Sequence, residues 1–145
     1  MSEVKSELKD VLTRVVDSID GYEASAKDAQ QGRFKTMFEE KAQERRQFAT
    51  EIRNHLTGLG EQVDEDGSLL AGAHRAFLDL KHAVTGGSDQ AVLKEVERGE
   101  STLLKEYDDA LGDIPPADQA YSLLQRQRES VNQTLTQIKT YENQS

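Results

Sequence analysis

Residues 88–116 read SDQAVLKEVERGESTLLKEYDDALGDIPP. Ser88 can cap a helix with its hydroxyl, and Asp89 places an acid in the first turn, where the helix dipole favours it. Leu93, Val96, Leu103, Leu104, Tyr107 and Leu111 then recur at steps of three, four and seven, one face of an α-helix. Asp113-Ile114-Pro115-Pro116 breaks that helix and starts another, because proline is tolerated at a helix start but not inside one.

The same periodicity extends in both directions. A first helix is expected from Ser2 or Ser6 to Gln30, with Val4, Leu8, Leu12, Val15, Ile19, Tyr22 and Ala26 as its stripe. Gly21 falls inside it, as a mark of close packing or a kink. After a turn at Gln31-Gly32, a second helix runs from about Arg33 to Leu59 on Phe34, Met37, Phe38, Phe48, Ile52, Leu56 and Leu59, with Gly58 and Gly60 as its stop. So short a connection makes these two helices antiparallel neighbours. Glu61 to Gly67 reads as a loop. A shorter helix, Ser68 to Thr85, carries Leu70, Ala73, Phe77, Leu80 and Val84 and ends at Gly86-Gly87. The last helix, Pro116 to Tyr141, shows Ala120, Tyr121, Leu124, Val131, Leu135 and Ile138. The expected fold is all-α: a four-helix bundle of two antiparallel hairpins joined by a crossover with a short extra helix. That is the ferritin-like topology, in a single domain over residues 1–145.

With 145 residues, a net charge of −9 and 31% charged residues, the chain suits helices with solvated outer faces. The excess of acid disfavours nucleic acid as a partner. No stretch is apolar enough for a membrane span, and the first twenty residues do not read as a targeting peptide, so a cytoplasmic location is expected. The absence of cysteine excludes disulfides and thiolate chemistry.

Some polar residues fall on or beside the apolar stripes. Glu100 is three or four residues from Val96, Leu103 and Leu104, and seven from Leu93 and Tyr107. Glu23, Glu44 and Glu97 lie at stripe edges. A carboxylate-bridged di-metal centre uses such inward glutamates together with Glu-x-x-His on two helices. Here the histidine position after Glu44 is Gln47, and that after Glu129 is Asn132, so the ligand set is incomplete. Arg128, between Leu124, Val131 and Leu135, needs an anion if buried. Glu100 or Glu23 could supply it, and a structural ion pair Glu100–Arg128 is the expected arrangement. His55 complements a helix C-terminus, and His82 with Asp79 has the i, i+3 spacing of an ordinary surface pair, which could also bind a divalent ion weakly.

The run GAHRAFLDLKHAVTGGSDQAVLKEVERGE at 72–100, with Tyr22-Glu23 and Glu44 to Phe48, resembles a family of uncharacterised bacterial ferritin-like four-helix-bundle proteins, a domain of unknown function. The resemblance implies the ferritin-like fold and a bacterial source, and no reaction. It carries over Glu23, Glu44, Glu97 and Glu100 as candidate metal ligands, whereas Leu135 stands where family members often have histidine.

The expectation is a bundle with an incomplete metal site and no cofactor, more a non-enzyme than an enzyme. It would serve an interaction or stress-related role through a protein partner or self-association. The polar face of the short helix, His74, Arg75, Asp79, Lys81 and His82, offers one contact surface. The alternative is a carboxylate-bridged iron, manganese or zinc site on the four glutamates. A third reading is a carrier of small apolar molecules, with Tyr22, Phe34, Phe48, Phe77 and Tyr107 around an internal cavity.

Overall fold

A computed structural model of the chain describes residues 2–61 and 88–143. Among them are four α-helices and no strand: α1 Ser2–Asp28, α2 Gly32–Gly58, α3 Asp89–Asp113 and α4 Gln119–Asn143. At 25 to 27 residues each, they are about 37–40 Å long at 1.5 Å per residue. The short helix expected at Ser68–Thr85 and the loop residues after Glu61 lie outside the described residues.

The termini follow from local chemistry. Ser88 Oγ accepts a hydrogen bond from the Ala91 amide at 3.4 Å, capping α3 as its sequence requires. Gly60 adopts φ +87°, the left-handed conformation that ends α2, while the Glu61 amide donates to Leu56 O at 3.0 Å. The last helix starts later than Pro116. Pro115 to Asp118 form a turn closed by the Asp118 amide on Pro115 O, and the Asp118 carboxylate accepts from the Ala120 amide at 2.9 Å. The side-chain cap, rather than the proline, sets the first residue of α4. Gly21 sits within an uninterrupted α1.

Cross-helix contacts fix the directions. Arg14 of α1 reaches Glu106 of α3 at 3.6 Å. At the other end, Asp89 accepts from the amides of Gln30 and Gln31 at 2.7 and 3.1 Å, so the first residue of α3 holds the α1–α2 turn. Arg126 of α4 meets Glu51 of α2 at 2.9 Å, and Phe34 packs edge-on against Tyr141 at 5.3 Å. Helix α1 is therefore antiparallel to α2 and α3, and α4 to α2 and α3. Helices α2 and α3 point the same way, so residues 61 and 88 stand at opposite ends of the bundle.

The buried apolar residues form two clusters. One gathers Leu8, Leu12, Val15, Phe48, Ile52, Leu103, Tyr107, Leu124 and Val131 among others. The second, towards the α1–α2 turn, contains Tyr22, Ala26, Phe34, Phe38, Ala42, Val92, Val96 and Ile138. Between them α2 contributes Arg45 and α3 contributes Glu100, both buried. Tyr22, Phe34, Phe48 and Tyr107 pack as core, and Phe77 is outside the described residues. Among the described helices, no helix is long and apolar enough to cross a membrane.

Phe48 is 7% exposed and touches the core just below the polar layer. Phe48→Ala should cost about 3–5 kcal/mol, because truncation leaves a cavity. Urea midpoints at unchanged slope measure it, and a loss under about 1 kcal/mol would place Phe48 outside the packed interior.

Candidate functional site

The polar layer is built around Arg45, 0% exposed. Its Nη1 and Nη2 donate to the two carboxylate oxygens of Glu100 at 2.6 and 2.8 Å, a bidentate pair across the bundle interior. Its Nε lies 3.4 Å from Glu44 Oε1. The guanidinium also stands 5.4 Å from the Tyr22 ring centre and 5.9 Å from that of Phe48, within cation–π range. Burial disfavours the arginine charge, but Glu100, helped by Tyr22 and Glu44, more than offsets this and holds Arg45 above its ordinary range. Burial and the adjacent Glu100 carboxylate likewise push the Tyr22 phenol up.

A second buried network lies one helical step away. Tyr107 Oη donates to Gln127 Oε1 at 2.6 Å, and Gln127 Nε2 donates to Phe48 O at 3.3 Å and to Glu51 Oε1 at 2.9 Å. Burial is the main reason the Tyr107 phenol is pushed up, with Arg45 opposing. Gln127 is 0% exposed, and these contacts fill three of its four hydrogen-bonding positions.

The expected pair Glu100–Arg128 is corrected. Arg128 lies at the margin of α4, its side chain 29% exposed, and binds Asp108 at 2.9 Å and Glu129 at 3.0 Å. The inward position on α4 is Gln127, one residue earlier, which completes the stripe between Leu124 and Val131. Of the candidate metal ligands, Glu44 and Glu100 meet at Arg45, whereas Glu23 and Glu97 lie elsewhere. Glu23 is exposed and pairs with Arg46 at 2.7 Å. Glu44 is half-buried beside Arg45 and Lys41. Glu97 lies against Glu142, whose carboxyl is pushed up by burial and then by Glu97. Glu100 has both oxygens on Arg45. Among the described residues no three histidine, aspartate or glutamate side chains converge as a cation site. His74, His82 and Asp79, with Arg75 and Lys81, are outside the described residues. The residue missed by the sequence reading is Arg45. It lies seven residues after Phe38, three before Phe48 and seven before Ile52, the same phase logic that singled out Glu100.

Residues 3–113, from α1 to the end of α3, match the family model described as a domain of unknown function (DUF2383). The chain belongs to this family. The matched stretch contains Tyr22, Arg45, Glu100 and Tyr107, while Gln127 lies beyond it. No curated protein and no solved structure matches the chain.

A groove along the α1–α3 seam borders the polar layer, with Tyr22 and Glu100 in its lining. Asp17 lines it; its Oδ1 is buried with no hydrogen-bond partner among the described residues, and its Oδ2 lies 3.6 Å from Arg14. Burial pushes Asp17 up to about 6, against Arg14 and with Asp20 adding to the shift. At the α1 N-terminal end, burial and Asp113 push Glu7 up to about 7. Both carboxyls bind a proton more tightly folded than unfolded, so their contribution to stability is greatest below about pH 4 and fades as pH rises through 6 to 7. Thermal midpoints should therefore rise as pH falls from 7.5 to 5.5. Asp17→Asn should flatten that rise, and a wild-type midpoint that is level or falls over the same interval would contradict it.

Proposed function

We propose that the chain is a ferritin-like bundle in which its own arginine takes the central cation position, and that it works by binding, without metal chemistry, as a non-enzymatic interaction protein. The observation that carries this reading is the bidentate, fully buried Arg45–Glu100 pair. A ferritin-like di-metal centre would sit between inward carboxylates of facing helices. In this chain the carboxylate deepest in the interior is satisfied by a guanidinium, which supplies a fixed positive charge and five donors but no open coordination position. The donor set therefore does not fit a di-metal group: Glu23 and Glu97 face elsewhere, and the residue after Glu44 that points inward is the arginine itself. The ferritin-like reading is supported by the helix directions, since α2 and α3 run parallel and the chain between them joins opposite ends of the bundle.

Elemental analysis of protein purified without chelator tests the proposal. Iron, manganese and zinc are each expected well below one ion per chain, in wild type and Glu100→Gln alike. Stoichiometric metal that disappears in Glu100→Gln would establish the carboxylate-bridged alternative instead.

A further inference from the structure

The bundle consists of two hairpins, α1–α2 and α3–α4, which bury their apolar stripes against each other. All four helices are 25 to 27 residues long, so the hairpins match in size. Apolar burial is not directional. By itself it would pack α1–α2 against the α1–α2 of a second copy as readily as against α3–α4.

Two buried residues break that equivalence. Arg45 stands at the midpoint of α2, Gly32–Gly58, and Glu100 one residue from the midpoint of α3, Asp89–Asp113. They are 0% and 2% exposed. Two like hairpins related by a two-fold axis bring the middles of their helices to one level. Two α1–α2 hairpins would therefore place two guanidinia in one dry layer, and two α3–α4 hairpins would place two carboxylates there. Only the mixed pairing sets Arg45 beside Glu100, with hydrogen bonds of 2.6 and 2.8 Å. A buried charge without its counter-charge is strongly destabilising, and discrimination between similar partners commonly rests on such a penalty.

Other polar contacts between the hairpins do not select in this way. Arg14–Glu106 at 3.6 Å and Arg126–Glu51 at 2.9 Å lie at the rim, with both arginines exposed and screened by solvent. Gln127, the buried polar residue of α4, is uncharged and can both donate and accept, so it tolerates a copy of itself.

We propose that Arg45 and Glu100 are the recognition element between the hairpins. They make each hairpin accept the opposite hairpin, of its own chain or of a second copy, and reject its own kind. Two chains that each carry half of a matched charge code should therefore exchange hairpins. Residues 62–87, which join the hairpins, reach at most about 90 Å, more than twice the length of a helix in this bundle.

Full chains carrying Arg45→Glu or Glu100→Arg test this. Each alone faces like charges in every pairing open to it, and should lose its cooperative urea transition. Co-refolded in equal amounts, the two should give a one-to-one dimer of twice the chain mass with its helical signal restored. In that dimer, α1–α2 of each chain meets α3–α4 of the other with opposite charges. It should be favoured over assemblies of either variant alone by at least about a hundredfold. Both changes in one chain should give a folded monomer. Arg14→Glu and Glu106→Arg, the same exchange at the rim, should leave two folded monomers that do not combine. Absence of a mixed dimer overturns the proposal, as does a stably folded monomer of either central variant alone. So does an unfolded chain when both central changes are combined, or a mixed dimer of the rim variants. The proposal uses the same pair as the metal-free reading, and the metal content of wild-type protein reports on that reading separately.

Discussion

A guanidinium and a carboxylate taken out of water on facing helices constrain everything around them. Desolvating two such charges costs several kcal/mol each, recovered only when geometry is good and the remaining donors are occupied. Arg45 and Glu100 meet that demand with two short hydrogen bonds, Glu44 near the third nitrogen, and the rings of Tyr22 and Phe48 within cation–π range. Helices α2 and α3 must therefore hold one axial register, since sliding either by a turn, about 5.4 Å, would separate the charges. The pair also divides the apolar interior into two clusters, so each end of the bundle packs against a fixed polar floor.

The same layer relates the interior to the surface. Tyr22 packs on Phe38 at 6.0 Å and borders the guanidinium, with the Glu100 carboxylate beside its hydroxyl, and both residues line the α1–α3 groove. The Tyr107–Gln127–Glu51 network ties α3, α4 and α2 just beyond it. With both Glu100 oxygens taken by Arg45, the centre of the bundle is held by its own side chains.

Much of this was legible in the sequence, because the stripes of all four helices are regular and their caps are local. Glu100 stood out as an acid surrounded by apolar neighbours, and it is buried. Its partner was not found, for a specific reason. On α4, positions 127 and 128 both fall within three or four residues of Leu124 and Val131, and the charged one drew attention over the amide that is buried. Arg45 sat between Glu44 and Arg46 in a run that reads as a solvated face, though its spacing from Phe38, Phe48 and Ile52 marks it as inward. Phase along one helix tells which residues are buried, but not which of them meet across the bundle.

The most direct test is a double-mutant cycle on the central pair, with Arg45→Met and Glu100→Leu made singly and together and unfolded in urea. Each single change strands a buried charge and should cost about 3–5 kcal/mol, whereas the double change removes both charges and should recover most of that loss. Additive costs in the double variant would mean that Arg45 and Glu100 do not depend on each other, and would contradict the account.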